Sequence, residues 1–452
     1  MEAQKISLGE ELKAHVTIAL PLAAAFLAQI GMALTDNAIV GRLGSVQLAA
    51  IGLTGNLLWE VLIVAISIVS VVGVLIAQSF GAKQHEKIAH HVRQGFWVAL
   101  VLSIPGTLLC YHATRALALT NQNPQVLLLG EQYLHAAAWS FLPALMFTVL
   151  RSYTASLSRV TAVMVITLTA VGLNAILTYS LVFGVWGLPA LGIKGAGWAT
   201  TAVNWIMLLS MLIYTARSEG LRRYRVYQNL FDLDITECWQ IVRLGLPLGG
   251  IALLEGGLFM AIAVLMGTIG VYALAANQVV INAIAVTFMI SLAIGEAAGI
   301  RVAHGIGAGN LAESRQSGLL GLGLGIVSGS FAGLAFIFGS HFLTGFFLDI
   351  NDPENAQVIA LCASLFMIAA TFQLFDGLQA IAVRALRGMK DVMVPMWIAA
   401  LGYWVFGIGG GYTLAFVLDY GPQGLWWGLA TGLTIAGILL SSRFLILSRE
   451  YE

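Results

Sequence analysis

The chain has 452 residues, of which 59% are hydrophobic and only 10% are charged, and its mean hydropathy is +0.88. Soluble domains carry about 25% charged residues, so this composition excludes an ordinary soluble protein and indicates a polytopic membrane protein. The formal net charge is zero and no dense basic patch occurs, which argues against a nucleic-acid partner.

Twelve apolar stretches are long enough to cross a bilayer as helices, which takes about 20 residues. Their centres lie near Gln29, Ile63, Leu102, Leu142, Ala170, Ile206, Gly256, Val286, Val327, Thr371, Phe406 and Thr434. The opening segment "MEAQKISLGEELKAH" lacks the basic start and the cleavage site of a signal peptide, so we expect it to be retained. The three cysteines have no paired spacing, and no disulfide or zinc site is predicted.

Basic residues are distributed unevenly between the two sides of this arrangement. With twelve spans and both termini on one side, only Arg42, Arg115 and Lys194 of the 22 lysines and arginines fall on the opposite side. The positive-inside rule therefore predicts that both termini are cytoplasmic. We expect a multi-pass protein of the bacterial inner membrane that contacts the lipid bilayer and acts as a monomer.

The sequence repeats itself at a constant spacing, which we call the repeat offset. "ALPL" at 19–22 aligns with "GLPL" at 245–248, and the same offset pairs Gly44 with Gly270 and "GA" at 81–82 with "GA" at 307–308. This registration predicts an all-α protein of two six-helix lobes related by a pseudo-twofold axis along the membrane normal, as in several transporters. We place the N-terminal lobe at 1–218, a cytoplasmic linker at 219–237 and the C-terminal lobe at 238–452.

Ionisable residues inside the spans are costly, at about 2.5–3.5 kcal/mol each, and mark a function by default. Five acids lie there: Asp36, Glu60, Glu255, Glu296 and Asp376. Arg384 and Arg387 are interpreted as cytoplasmic anchors, which leaves the acids almost without an internal base. They must therefore be protonated, bind a cation or face water.

Each acid also has a purely structural alternative, as a neutral hydrogen-bonded strut between helices. This alternative weighs most for Glu60 and Glu296, because Glu296 is near the cytoplasmic end of its span and can snorkel to the interface.

Neutral polar residues accompany the acid of the first span. Gln29 precedes Asp36 by two helical turns. Asn174 and Thr178 share one face of the fifth span, and Thr200 lies on the sixth. Oxygen atoms of this kind suit Na⁺ as well as a proton relay.

Motifs for nucleotide hydrolysis or for catalysis do not occur. "GIGAGN" at 305–310 follows no predicted strand, and neither a Gly-Lys-Ser/Thr sequence nor HExxH is found. We therefore expect no enzyme activity and no cofactor, and we expect the energy source to be an ion gradient.

The chain resembles the multidrug and toxic compound extrusion (MATE) family over its whole length, and its NorM-type branch most closely. The resemblance depends on "AQIGMALTDNAIVGRLG" in the first span, "LGLPLGGIALLEGGLF" in the seventh, "ALAANQVVINA" in the eighth and "FQLFDGLQAIAVRALRGMKD" in the tenth. It implies a secondary active efflux transporter that exports cationic or amphipathic drugs in exchange for Na⁺ or H⁺ by alternating access.

The resemblance also implies roles for individual residues. Glu255 and Asp376 correspond to the acids of the C-terminal lobe that couple to the cation, and Asp36 corresponds to the acid of the N-terminal lobe, so Na⁺ is possible at all three. Asn174, Thr178 and Thr200 surround Asp36 in this scheme, and Gln278 and Asn282 match polar positions of the eighth span.

Two positions depart from the family pattern. Phe372 replaces a tyrosine common in NorM-type members, and Thr178 stands where Asn or Asp is usual. Both changes thin the oxygen shell that the resemblance implies for Na⁺, and H⁺ stays open as the coupling ion beside Na⁺.

Two other functions remain open. A flippase for lipid-linked precursors has a similar repeated build, but it needs cations in its cavity to bind pyrophosphate. A membrane-embedded enzyme is a third possibility, weakened by the missing nucleophile and metal motifs.

Overall fold

The computed structural model describes residues 7–118 and 123–450, which form helices joined by short turns and no β-strand. Twelve of the helical segments are long and apolar enough to cross a bilayer. Each contains one of the twelve predicted centres. The prediction of an all-α protein with twelve spans is therefore confirmed.

The first half of the chain contains six of the spans. Its helices are α1 (Leu8–Gly41), α2 (Ser45–Val69), α3 (Val71–Gly81), α4 (His85–Leu117), α5 (Pro124–Ala137), α6 (Phe141–Ser156), α7 (Thr161–Phe183) and α8 (Ile193–Arg217). Helices α2 and α3 together form one span, as do α5 and α6, which a 3₁₀ turn connects.

The second half contains the other six. A short helix, α9 (Glu219–Arg222), lies in the segment between the two sets of spans. The helices of the second half are α10 (Ile235–Ile269), α11 (Val271–Ala308), α12 (Leu311–Gly345), α13 (Ala356–Gly388), α14 (Met393–Ala400), α15 (Gly410–Tyr412) and α16 (Gly421–Glu450). The span that begins with α14 continues through π-helical segments at Leu401–Gly409 and Thr413–Val417, on either side of α15.

The helix starts follow the sequence repeat. Helices α2 and α11 begin at positions separated by the repeat offset, and so do α4 and α12. Gly44 and Gly270 directly precede α2 and α11, with φ angles of +137° and +158°. L side chains rarely adopt such φ angles, so the same sharp turn requires glycine in both repeats.

The described chain divides into two compact units. The C-terminal unit comprises residues 7–23 and 250–450, and the N-terminal unit comprises residues 24–249. The two boundaries are also separated by the repeat offset, and each lies two residues after a proline inside a helix, Pro21 in α1 and Pro247 in α10. The lobes predicted from the sequence differ from these units, because each lobe contains the whole of α1 or nearly the whole of α10. The boundaries of the lobes stay a prediction.

Within each unit one helix is central. In the C-terminal unit α13 packs against α11, α12 and α16, and in the N-terminal unit α8 packs against α5, α6 and α7. Small residues permit close packing of backbones, since a Cβ atom added to Gly432 of α16 would lie 2.5 Å from the carbonyl oxygen of Gly402. The central helix α13 carries four buried polar residues, Gln373, Asp376, Gln379 and Arg387.

Candidate functional site

The N-terminal unit contains a buried polar cluster around Asp36 of α1. The hydroxyl of Thr178 on α7 donates to Asp36 Oδ1 at 2.7 Å, and the hydroxyl of Thr200 on α8 donates to Oδ2 at 3.3 Å. Asn174 donates to the Thr178 hydroxyl at 3.4 Å and also interacts with Asp36. Asp36 is 7% exposed and Thr178 is fully buried, so three helices share one carboxylate away from solvent.

The structure changes the membership of this cluster in two ways. Tyr133 of α5, which the sequence does not single out, is 5% exposed and interacts with Asp36 and Thr200. Gln29 is half-buried, and within residues 7–118 and 123–450 it makes no hydrogen bond to Asp36. The carboxylate therefore takes its partners from α5, α7 and α8 rather than from its own helix.

The C-terminal unit brings Glu255 of α10 and Asp376 of α13 into one network. The side-chain amide of Gln379, one turn after Asp376, donates to Glu255 Oε1 at 3.4 Å and also interacts with Asp376. The two acids interact electrostatically. Asp376 is 1% exposed, and among the described residues its buried Oδ1 atom has no hydrogen-bond partner.

Tyr403 completes this network from the π-helical segment after α14. Its hydroxyl donates to Gln379 Oε1 at 2.8 Å, and its side chain is fully buried. A π-helix is rare and is often found at functional sites, and its wider turn changes which side chains face a neighbouring helix. Neither Gln379 nor Tyr403 is among the residues selected from the sequence, although Gln379 lies inside the quoted tenth-span motif.

Phe372 contributes no oxygen to this network, because its ring carries no hydroxyl. The ring is fully buried and packs against Trp426 of α16, with 6.1 Å between ring centroids. The indole N–H of Trp426 donates to Asn277 Oδ1 at 3.1 Å. The aromatic hydroxyl that does join the network is that of Tyr403.

The two polar residues selected on α11 bond to each other. Gln278 donates to Asn282 Oδ1 at 3.3 Å, and Gln278 is exposed. In the described part of the chain neither is hydrogen-bonded to Glu255 or Asp376. A role of this pair in cation binding stays a prediction.

Arg384 and Arg387, interpreted from the sequence as cytoplasmic anchors, both donate to Glu296 of α11, and their position relative to the cytoplasm stays a prediction. Arg384 donates through Nε to Glu296 Oε1 at 3.1 Å, and Arg387 donates through Nη2 to Glu296 Oε2 at 2.7 Å. Arg387 is only 6% exposed. The two arginines lie one turn apart on α13, and each pairs with one oxygen of the Glu296 carboxylate of α11.

Glu60 of α2 is the fifth acid of the spans. It is half-buried, and in the described part of the chain its Oε1 atom is buried without a hydrogen-bond partner. Among the described residues, no hydrogen bond or ion pair connects Glu60 with the Asp36 cluster, and a role in transport stays a prediction.

The described residues, 7–118 and 123–450, contain no group of three or more His, Cys, Asp or Glu side chains that could hold a metal ion. Sodium at either cluster would need neutral oxygen ligands in addition to the acids. The available side-chain oxygens are those of Thr178, Thr200 and Asn174 in one unit and those of Gln379 and Tyr403 in the other. The donor set fits a hard monovalent cation or a proton.

Comparisons with known proteins agree over nearly the whole length. The family model described as MatE matches residues 21–180 and 247–413. The probable multidrug resistance protein NorM of Synechocystis sp. is 34% identical over 442 residues, which cover 98% of this chain and 96% of that protein. The probable NorM of Rhodopseudomonas palustris is 37% identical over 440 residues, which cover 97% and 93%. The multidrug resistance protein NorM of Burkholderia vietnamiensis is 34% identical over 428 residues, which cover 94% and 92%.

Solved structures agree on the fold. The eukaryotic MATE transporter AtDTX14 is 21% identical and superimposes with a TM-score of 0.87 over 98% of both chains. A MOP superfamily transporter from Pyrococcus furiosus, described as having a binding pocket of reverse polarity that suggests a different function, is 16% identical. It superimposes with a TM-score of 0.88 over 98% of this chain and 96% of its own. At these identities the similarity concerns the fold alone.

Proposed function

Because this chain belongs to the MATE family, in its NorM branch, and is a multidrug efflux transporter of the membrane, we propose that it works as a cation antiporter. It exports cationic or amphipathic compounds in exchange for Na⁺ or H⁺, by alternating access of its two lobes. Members of this family are transporters and not enzymes.

The observation that carries the proposal is the pair of acids at Gln379. Glu255 and Asp376 interact electrostatically in an apolar interior, and Asp376 Oδ1 is buried with no hydrogen-bond partner in the described chain. A buried acceptor left unsatisfied costs about 1–3 kcal/mol. Two like charges at close range in a low dielectric also repel. A proton or Na⁺ bound there relieves both penalties.

The Asp36 cluster supports a second cation or proton site in the N-terminal unit. Its carboxylate accepts from Thr178 and Thr200, which leaves Asn174 Oδ1 buried and without a partner among the described residues. This amide oxygen could serve as a ligand for a bound cation. The two units thus offer separate sites with different ligands.

The proposed mechanism is competition between drug and coupling ion. A lipophilic cation binds through aromatic and methionine surfaces, with an acid supplying the charge. Occupation of the acids by Na⁺ or H⁺ in the outward state lowers the affinity for the drug and releases it. Coupling requires the ion and the drug to bind the two states unequally, because a ligand that binds both equally shifts no population.

The orientation of the protein follows from its charges. Only Arg42, Arg115 and Lys194 of the 22 basic residues lie on the side opposite the termini. We therefore place both termini in the cytoplasm and the protein in the bacterial inner membrane.

The flippase alternative gains no support from the basic residues of the spans. A flippase needs cationic groups available to a pyrophosphate. Arg384 and Arg387 instead donate to the Glu296 carboxylate. The charge offered by the acids favours a cationic substrate.

Transport by reconstituted protein tests the proposal. Proteoliposomes that contain the wild type should move a fluorescent lipophilic cation under an imposed Na⁺ or H⁺ gradient, and Glu255→Gln and Asp376→Asn should lose the dependence on the gradient. Glu354→Gln, which changes an exposed acid of the same unit, should behave as wild type. Normal gradient-driven transport by both Glu255→Gln and Asp376→Asn would refute the assignment of the coupling site.

A further inference from the structure

Glu296 of α11 lies between two guanidinium groups of α13. Each of its carboxylate oxygens accepts from a different arginine, Arg384 at 3.1 Å and Arg387 at 2.7 Å. The side chains of Glu296, Arg384 and Arg387 are only 23%, 20% and 7% exposed. Charges inside a span are expensive to bury, so a cluster of three calls for an explanation.

Arg384 connects this cluster to the coupling site. Its hydrogen bonds go to Glu296 and to the carbonyl oxygen of Ala380 at 2.9 Å, whereas its interaction with Glu255 is electrostatic. Glu255 in turn interacts with Asp376. Arg384 therefore interacts with two carboxylates, with Glu296 through a hydrogen bond and with Glu255 through electrostatics alone.

The hydrogen bonds of Arg384 determine which carboxylate its positive charge neutralises. A bidentate or directly bonded guanidinium neutralises its carboxylate partner far more strongly than a distant one, because the interaction falls with distance and hydrogen bonds to charged groups are strong. With Glu296 present, the guanidinium of Arg384 is hydrogen-bonded to a side chain of α11. Without Glu296, the carboxylate that still interacts with Arg384 is that of Glu255.

We propose that Glu296 is a positioning residue that holds Arg384 away from direct contact with Glu255, so that Glu255 and Asp376 keep a negative charge for the coupling cation. This inference depends on the proposed function, since it assumes that the two acids bind that cation. Arg387 supports the arrangement by donating to the second oxygen of Glu296. The arginine that the sequence suggested as an anchor thus sets the charge of the site.

Removal of Glu296 alone gives the first test. In proteoliposomes, the concentration of Na⁺, replaced by choline, or of H⁺ that gives half-maximal transport should rise about tenfold in Glu296→Gln, which corresponds to about 1.4 kcal/mol of lost cation binding. Glu296→Asp keeps the negative charge and should lie between wild type and Glu296→Gln. Unchanged cation dependence in Glu296→Gln overturns the proposal.

Two double variants with the same formal charge separate position from net charge. Glu296→Gln with Arg384→Gln removes the arginine that would reach Glu255, and should restore the cation dependence to within about threefold of wild type. Glu296→Gln with Arg387→Gln leaves Arg384 in place and should stay impaired. If the two double variants behave alike, whether both are restored or both impaired, Glu296 does not act by positioning Arg384.

The same assay distinguishes failure of this inference from failure of the proposed function. Glu255→Gln and Asp376→Asn serve as reference variants. If they abolish the cation dependence while Glu296→Gln leaves it unchanged, the positioning role is wrong and the coupling site stands. If they leave it unchanged, the proposed function itself fails. Thermal unfolding of each variant checks that the protein is folded, and Glu296→Asp provides the comparison should Glu296→Gln prove unstable.

Discussion

Glu11 of α1 accepts two hydrogen bonds from Arg301 of α11, at 3.0 Å from Nε to Oε1 and at 2.5 Å from Nη2 to Oε2. The hydroxyl of Ser317 on α12 also donates to Glu11 Oε1. Glu11 is 1% exposed. A residue from the first sequence repeat is therefore bonded to helices of the second repeat, inside the C-terminal unit.

The second repeat has a corresponding contact. Glu237 of α10 occupies the repeat position of Glu11, and His91 of α4 occupies the repeat position of Ser317. His91 Nδ1 lies 2.7 Å from Glu237 Oε1, and its Nε2 lies 2.9 Å from the Ser79 hydroxyl. Equivalent glutamates thus bind equivalent positions on the third span of the opposite repeat, with different partner side chains.

Substitution of Glu11 should destabilise the protein. Glu11→Gln leaves the partly buried Arg301 guanidinium with Glu313 as its remaining acidic partner, and loss of one member of a buried ion pair costs roughly 3–5 kcal/mol. We expect a clearly lower unfolding temperature in detergent. Glu10→Gln, which changes the exposed neighbouring acid, should leave it unchanged. Equal unfolding temperatures for the two variants would show that the pair contributes no net stability.

The stability of the protein should depend on pH through Asp234, which caps the first residues of α10. The backbone N–H groups of Glu237 and Thr236 donate to Asp234 Oδ1, and with His90 they hold the pKa of this carboxyl below its usual value of 3.8. Because the folded-state pKa is the lower one, the contribution of Asp234 is complete above the unfolded pKa and is lost as the pH falls through the folded pKa.

Asp234→Ala should therefore unfold at a lower temperature than wild type near pH 7, and the difference should shrink as the pH falls below 4. Asp232→Ala, at an exposed neighbouring position, is the control. A difference that does not change between pH 3 and pH 7 would show that the charge of Asp234 makes no contribution.

The Tyr403 hydroxyl should influence cation binding through Gln379. Tyr403→Phe removes the donor to Gln379 Oε1 and leaves a buried amide oxygen unsatisfied, at a cost of about 1–3 kcal/mol. The amide can then turn away from Glu255 and Asp376. Half-maximal transport should require severalfold more coupling cation. Tyr412→Phe, exposed on the same span, should have no effect, and an unchanged cation requirement in Tyr403→Phe would remove Tyr403 from the site.

Thr178 should matter for the Asp36 cluster through its hydroxyl alone. Thr178→Val keeps the shape of the side chain but removes the donor to Asp36 Oδ1, which costs about 1–3 kcal/mol at a buried charged acceptor. We expect slower drug export and a moderately lower unfolding temperature. Thr169→Val changes an exposed threonine of α7 whose hydroxyl donates to the carbonyl oxygens of Val165 and Ile166 in its own helix. Export by Thr178→Val as fast as by Thr169→Val would contradict a role of this hydroxyl.

The fold was predictable because it depends on chain-wide properties. Each of the twelve spans can be recognised in the sequence by its length and its apolar composition. The repeat is visible because turns with positive φ need glycine, and Gly44 and Gly270 occupy the same place in both halves.

The sites were predictable only in part. Helical spacing places Asn174 and Thr178 on one face, and the structure brings both to Asp36. Spacing along one helix says nothing about which neighbouring helix a side chain meets. The pairing of Glu296 with two arginines of α13 joins residues that are far apart in the sequence, and Tyr403 depends on a π-helical turn that has no simple sequence signature.

Ion movement driven by the drug is the most direct test of coupling at Glu255 and Asp376. Proteoliposomes loaded with a fluorescent lipophilic cation, without any imposed ion gradient, should take up Na⁺ or H⁺ as the drug leaves, and this uptake should vanish in Asp376→Asn. Drug efflux at the same rate with Na⁺ absent and the pH clamped, accompanied by no ion movement, would contradict the account.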